Sequence, residues 1–392
     1  MAVVLWGSVL LLLHTYLFYP LSLLLWDAGR QAVELRRYLV KGRDRRRRRG
    51  AAFTPSVSLI IPAHDEAECI GAKLDNSLSL DYPDDKLEIV VGSDGSSDGT
   101  DEIVSACPDG RVRLSTAPRG GKVAVLNRCV PAACGEIVVL TDANTMIDRR
   151  ALGALVRHFV DPDVGAVCGR LKLYNRRRKE YEESVYWSYE TLLKHYEGQH
   201  GAVLGANGGL YAMRRTLFER LPPDTVVDDF VIPQRLLERG YQVDWEPEAV
   251  AYEETTEDYS REFARRARIS AGNFQALVRH GGLLSPWRRP FVSYAFWSHK
   301  ALRWFAPFLL ALALVSNALL APWSPFYALL FAVQLAFYGL ALAGTSKLLT
   351  GPLKRVASTA RYFVSMNLAL AVGFWRFVRG SQGAAWERTA RS

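Results

Sequence analysis

The 392-residue chain is 49% hydrophobic and 23% charged, a globular composition that excludes an intrinsically disordered protein. Ala2 to Trp26 and Trp304 to Ser346 carry no charge at all, which excludes a simple soluble protein. The net charge of +9 is local, because Arg30 to Arg49 hold ten Arg or Lys against Glu34 and Asp44, and the remainder is nearly neutral. A cationic run beside an apolar helix, without interleaved aromatics, points to anionic lipid and away from nucleic acid.

In chain order, residues 1–28 read as a transmembrane helix. The apolar stretch is too long for a signal peptide, and its basic flank follows it. Residues 29–55 then form a basic juxtamembrane segment on the cytoplasmic side. The five cysteines, Cys69, Cys107, Cys129, Cys134 and Cys168, are odd in number and form no close CxxC pair. That argues for reduced thiols and against a disulfide framework or zinc site.

Short Val- and Ile-rich runs follow at Val57–Ile61, Glu88–Gly92, Arg111–Ser115 and Ile137–Thr141. Helix-like stretches at Glu66–Asn76 and Asp98–Ala106 separate them, a pattern that predicts a parallel sheet with covered faces. Ligands of such sheets bind outside the carboxyl ends of the strands. There the sequence places Asp65 and Glu66 after the first run, Asp94 after the second and Asp142 after the fourth. One such acid is usually a helix cap, and Asp98 suits that role. Three at one edge repel each other unless a divalent cation and a polar ligand join them. Arg119-Gly120-Gly121-Lys122 lies between them, with glycines that let backbone approach an anion and a lysine that adds charge. No GxxxxGK or GxGxxG spacing is present. Further on stand Gly205-Ala206-Asn207-Gly208-Gly209 and, after an apolar pair, Asp228-Asp229.

From about Ser56 to Gly282 this motif order resembles membrane-bound family 2 glycosyltransferases, the group that includes cellulose, chitin, hyaluronan and poly-N-acetylglucosamine synthases. The resemblance implies an α/β fold: a GT-A (Rossmann-like), mostly parallel sheet domain at 56–282, plus transmembrane helices. It implies that Asp65 or Glu66, with Asp94, holds the nucleoside and that Lys122 lies near the nucleotide. The metal-binding DxD element corresponds to Asp142-Ala143-Asn144, so Asp142 and Asn144 are the expected ligands of Mg²⁺ or Mn²⁺. Asn207, Gly208 and Gly209 fall in the wall of the sugar and acceptor pocket. Asp228-Asp229 matches the family's ED motif, making Asp229 the catalytic base and Asp228 its neighbour. Aligned on QxxRW, Arg268 keeps the arginine that suits a diphosphate, Arg265 takes the Gln position and Ile269 replaces the Trp. The absent Trp and the few membrane helices favour single addition or a short polymer, whereas the layout of one helix, catalytic domain and hairpin favours processive synthesis, so both stay open.

Beyond the domain, residues 283–303 read as an interfacial amphipathic segment. Residues 304–346 read as a transmembrane hairpin broken at Ala321-Pro322-Trp323-Ser324-Pro325. Residues 347–392 read as a basic loop, a 14-residue apolar piece at Tyr362–Trp375 too short to span, and a cytoplasmic tail. The expectation is a multi-pass protein of the cell (inner) membrane with a cytoplasmic catalytic domain. Its expected partners are a UDP-linked nucleotide sugar, a saccharide or lipid-linked acceptor and the bilayer, with no nucleic acid. A catalytically silent nucleotide-sugar sensor is the alternative from another class, and it predicts loss of the base or the metal Asp.

Overall fold

The computed structural model describes residues 1–41, 53–175, 180–181, 185–254, 259–344, 346 and 349–383. The arginine run at 45–49, Lys347, Arg388 and Arg391 lie outside the described residues. The chain forms two compact units, one of Met1–Ser22, Asp258–Arg279 and Tyr294–Gln382, the other of Leu23–Glu257, His280–Ser293 and Gly383–Ser392.

The second unit is built on one sheet. Its described strands are β1 (Val57–Ala63), β2 (Leu87–Asp94), β3 (Val112–Ala117), β4 (Ile137–Leu140), β5 (Thr145–Ile147), β6 (Val164–Asn175), β7 (Glu180–Tyr181), β8 (Tyr211–Arg214) and β9 (Gln242–Glu254). Their order is β3-β2-β1-β4-β8-β6-β9-β5, with β7 paired to β6. The first four strands are mutually parallel, in register from Val57 against Leu87 and Ile137. Strand β8 runs antiparallel to both β4 and β6, and β9 returns parallel to β6. The sheet is thus the α/β architecture expected, with a mixed second half.

Every residue of β1 and β4 is buried, as their unbroken apolar runs require of strands covered on both faces. Close packing sets one residue type. A Cβ at Gly92 would fall 2.2 Å from Val125 Cγ1, so only glycine lets the helix Lys122–Ala132 lie down on β2. Because β1, β2 and β4 are parallel neighbours, their carboxyl ends open on one edge. The polar turns that carry Asp65, Asp94 and Asp142 all leave from it.

The first unit is helical. Among the described residues, three helices are long and apolar enough to cross a membrane: Ala2–Val33, whose later part falls in the second unit, Ala306–Trp323 and Pro325–Ala343. The last two meet at the expected proline-bounded turn, Ala321–Trp323. The 14-residue apolar piece is the later half of an uninterrupted helix, Gly351–Val378. That helix packs on Tyr259–Arg279, where Phe274 stacks edge-on to Phe374 at 5.0 Å and Gly373 abuts Ser270. The helix Tyr259–Arg279 therefore belongs to the helical unit, because its buried face of Ala267, Ala271 and Phe274 is completed there.

Candidate active site

Asp94 ends β2 fully buried, and its carboxylate is already engaged. Oδ1 accepts the Gly120 and Gly121 N–H groups at 2.7 and 3.1 Å, and Oδ2 accepts Gly121 N–H at 2.9 Å. The glycine loop therefore does receive an anion through its backbone, and that anion is the protein's own. The result is a clamped loop from which the helix Lys122–Ala132 departs, with Lys122 at a defined position. Gly121 supports this at φ 86°, a left-handed conformation that glycine adopts without strain.

Asp65 sits in the turn after β1 at φ 53°. Its Oδ1 accepts Ser97 N–H at 2.8 Å, joining the first two strand ends, and its Oδ2 lies 3.4 Å from His64 Nε2. Glu66 is buried and receives the Cys69 thiol at 3.3 Å. Asp98 is a cap, accepting Ala67 N–H at 3.0 Å at the start of the helix Ala67–Leu78 and Thr100 N–H at 3.1 Å.

The centre of the site is a carboxylate and lysine cluster. Lys122 Nζ lies 2.9 Å from Asp142 Oδ1 and 3.6 Å from Asp228 Oδ2. Asp228 and Asp229 open the helix Asp228–Glu238, where exposed helical N–H groups favour acidic side chains. Burial first, then the adjacent Asp228 charge, raises the Asp229 carboxyl to about 6, with Asp142 adding and Lys122 and Lys194 opposing. Burial alone would lower the Lys122 ammonium, but Asp142, Asp228 and Asp229 together raise it above its usual value. Tyr211 Oη and Asp228 Oδ2 are buried without a hydrogen-bond partner among the described residues, so two polar atoms are left facing the cluster.

The glycine-rich segment forms the wall beside it. A Cβ on Gly208 would stand 3.2 Å from Asp229 Oδ2 and 3.7 Å from Asp142 Oδ2, so both carboxylates approach the backbone there. Gly208→Ala is expected to lower turnover about tenfold or more by displacing the Asp229 carboxylate. The melting temperature should stay nearly unchanged, a split that steady-state kinetics and calorimetry on one preparation will read. Asn207 is buried, donating from Nδ2 to the Gly169 carbonyl at 2.8 Å and accepting from Lys194 Nζ at Oδ1.

Two lysines escaped the sequence reading. Lys73 is fully buried, donating to Thr141 Oγ1 at 3.0 Å and to the Thr145 carbonyl, on either side of Asp142. Thr141 Oγ1 in turn donates to the Gly209 carbonyl at 2.8 Å, so Lys73 ties the Asp142 turn to the pocket wall. Burial lowers its ammonium to about 7, with Asp142 opposing. Lys194 is buried between Asn207 and the Trp245 ring, 5.8 Å from its centroid. For Lys73 a spacing signal existed: it stands with Ile70, Leu74 and Ser77 on the buried period of its helix. For Lys194 none did, because the buried positions around Leu193 on its helix are Glu190, Lys194 and Glu197.

The donor set suits a hard divalent cation, being all oxygen. Among the described residues no three His, Cys, Asp or Glu side chains converge to hold a metal by themselves. Asp142 would supply one carboxylate, with Asn144 half-buried two residues on, and phosphate oxygens of a ligand would complete the sphere, an ordinary arrangement for Mg²⁺-type sites. Arg265 and Arg268 stand on the helix Tyr259–Arg279 of the helical unit, where Arg265 pairs with Glu262 at 3.5 Å.

The model of the glycosyl transferase family 2 domain matches residues 58–221. The probable glycosyltransferase YdaM of Bacillus subtilis is 27% identical over 240 residues, 57% of each chain. A poly-beta-1,6-N-acetyl-D-glucosamine synthase of Staphylococcus aureus is 26% identical over 231 residues, 57% of this chain and 56% of its own. The chain thus matches little more than half the length of these curated relatives. Among solved structures, the mannosyltransferase PcManGT of Pyrobaculum calidifontis, in complex with GDP-Man and Mn²⁺, aligns over 95% of this chain and 97% of its own. That alignment has a TM-score of 0.69 and 27% identity. The strand-end carboxylates and the mixed sheet agree with these matches: residues 58–221 match the glycosyl transferase family 2 domain, and the sheet unit has the GT-A fold of a glycosyltransferase.

Proposed function

We propose that the protein transfers a hexose from a nucleotide sugar to an acceptor hydroxyl by a single displacement with inversion. The observation that carries this is the convergence of Asp142, Asp228, Asp229 and Lys122 beside Gly208 at the carboxyl edge of the sheet. Asp229, raised toward neutrality and bordering the pocket wall, is placed to accept the acceptor's proton. Lys122 contributes positive charge for the diphosphate, and the clamped Asp94 loop holds it in place. A divalent cation at Asp142 would neutralise charge developing on the leaving group.

The sequence alone suggested a UDP-linked donor. The whole-length likeness to a mannosyltransferase holding GDP-Man and Mn²⁺ supports testing a GDP-linked hexose beside it. The likeness to a polysaccharide synthase supports a saccharide or lipid-linked saccharide as acceptor. Purified protein in lipid, given a panel of radiolabelled UDP- and GDP-sugars with Mn²⁺ or Mg²⁺, should label product from one nucleotide class. Absence of transfer from every donor would leave the silent-sensor alternative standing.

The three apolar helices support membrane association, with the catalytic unit on the cytoplasmic side as the basic flank suggests. Cys134 is the exposed thiol of the five and Cys168 is buried, so Cys134 is the probe of choice. An impermeant maleimide should modify Cys134 in inverted vesicles and spare it in intact cells. The reverse pattern would refute the orientation.

A further inference from the structure

Lys122 occupies the place of a cation. Its ammonium stands between Asp142 Oδ1 at 2.9 Å and Asp228 Oδ2 at 3.6 Å. Asp228 Oδ2 is buried and has no hydrogen-bond partner among the described residues, so this charge is what compensates it. The fully buried Tyr211 hydroxyl also has no hydrogen-bond partner among the described residues, and the negative charges of Asp228, Asp229 and Asp142 nearby oppose its ionisation. Lys122 is the ammonium paired directly with Asp142 and Asp228, while Lys73 and Lys194 reach Thr141 and Asn207 from other helices. A pair of carboxylates already holding an ammonium, without a preformed metal cage among the described residues, gives a lone divalent cation little to gain. To reach Asp142 and Asp228 it would first have to displace or repel the resident ammonium, an unscreened encounter of like charges.

A cation that arrives with a nucleoside diphosphate is in a different position. The phosphates add anionic oxygens, and Lys122 can exchange its carboxylate partners for them. The backbone under Lys122 is anchored, since Gly120 and Gly121 donate to Asp94. The four-carbon stem beyond it has several rotatable bonds, so once its carboxylate partners are exchanged the ammonium can move while the loop stays.

We propose that Lys122 is a latch on the cation position, closed over Asp142 and Asp228 in the ligand-free enzyme and opened by the incoming diphosphate, so that metal and nucleotide enter together. The proposal rests on the nucleotide-sugar reading given above. It predicts that Lys122 governs the order of binding as well as the affinity for nucleotide.

The test is Mn²⁺ binding to the full chain in detergent, followed by loss of the free Mn²⁺ signal in electron paramagnetic resonance. MnCl₂ alone should bind the wild type weakly, and addition of UDP or GDP should tighten Mn²⁺ binding by about tenfold or more. Lys122→Gln should bind MnCl₂ alone about tenfold or more tightly than the wild type does. Lys122→Arg, which keeps the cation, should stay closed like the wild type. The site gained in Lys122→Gln should vanish when Asp142→Asn is added. Wild-type binding of MnCl₂ that is equally tight with and without nucleotide would overturn the latch. So would a Lys122→Gln protein with an unchanged melting curve and no gain in Mn²⁺ binding. Should the wild type bind neither UDP nor GDP at any Mn²⁺ concentration, the nucleotide-sugar reading itself would fall, a result separable from the other two because nucleotide binding is read directly by calorimetry.

Discussion

Asp229→Asn is expected to abolish most transfer while making the protein more stable at neutral pH. The amide keeps the shape of the carboxylate, so donor binding should survive. Turnover should fall by about 10²–10⁴, the ordinary contribution of a general base. Stability moves the other way because the native carboxyl is raised to about 6 by burial and by Asp228. A carboxyl raised in the folded state binds protons more tightly there than in the unfolded chain. Its contribution to stability is therefore fully present below about pH 4 and is lost as pH rises through about 6. The asparagine variant escapes that loss, and should gain about 3 kcal/mol at pH 7–8, with the gain shrinking toward pH 4. Wild-type turnover should fall with protonation of the base as pH drops below about 6. Melting curves and transfer rates across pH 4–8 on both proteins test all of this together. A helix-start carboxylate without catalytic function would instead give near-normal transfer by the folded variant and a modest loss of stability, from the weakened helix N-terminus.

Asp142→Ala is expected to uncouple nucleotide binding from metal. In the wild type the Asp142 carboxylate holds Lys122, and in the function proposed above it shares a cation with phosphate. Its loss should cost about 10²–10³ in turnover, the scale of removing one preorganised electrostatic contact from a transition state. UDP or GDP affinity, measured by calorimetry with and without Mn²⁺, should become independent of the metal. Retention of the wild-type metal dependence would refute the assignment. Asp98→Ala supplies the contrast: it is an acid from the same edge whose oxygens cap Ala67 and Thr100. It should cost about 1 kcal/mol of stability and leave metal dependence intact.

The sequence by itself determined the sheet's first half and what its edge carries. Strands β1, β2 and β4 are short Val- and Ile-rich runs bounded by turn residues, so their type and order follow from local pattern, and parallel pairing then puts Asp65, Asp94 and Asp142 at one edge. The contact of Asp98 with Thr100 and the proline-bounded hairpin turn were legible for the same reason, since each depends on neighbours a few residues away, whereas the cap Asp98 gives Ala67 reaches 31 residues back. Tertiary structure decided what those residues do to one another. Asp94 spends both oxygens on a loop 26 residues on, a pairing no local rule contains. The helix Tyr259–Arg279 joined the helical unit because its buried face is completed by residues a hundred positions away. Most of all, the charge balance of the site is non-local. Lys73, Lys122 and Lys194 reach Thr141, Asp142 and Asn207 from separate helices. A long flexible side chain leaves little local signature beyond a charge on an apolar face, and only packing shows where that charge comes to rest.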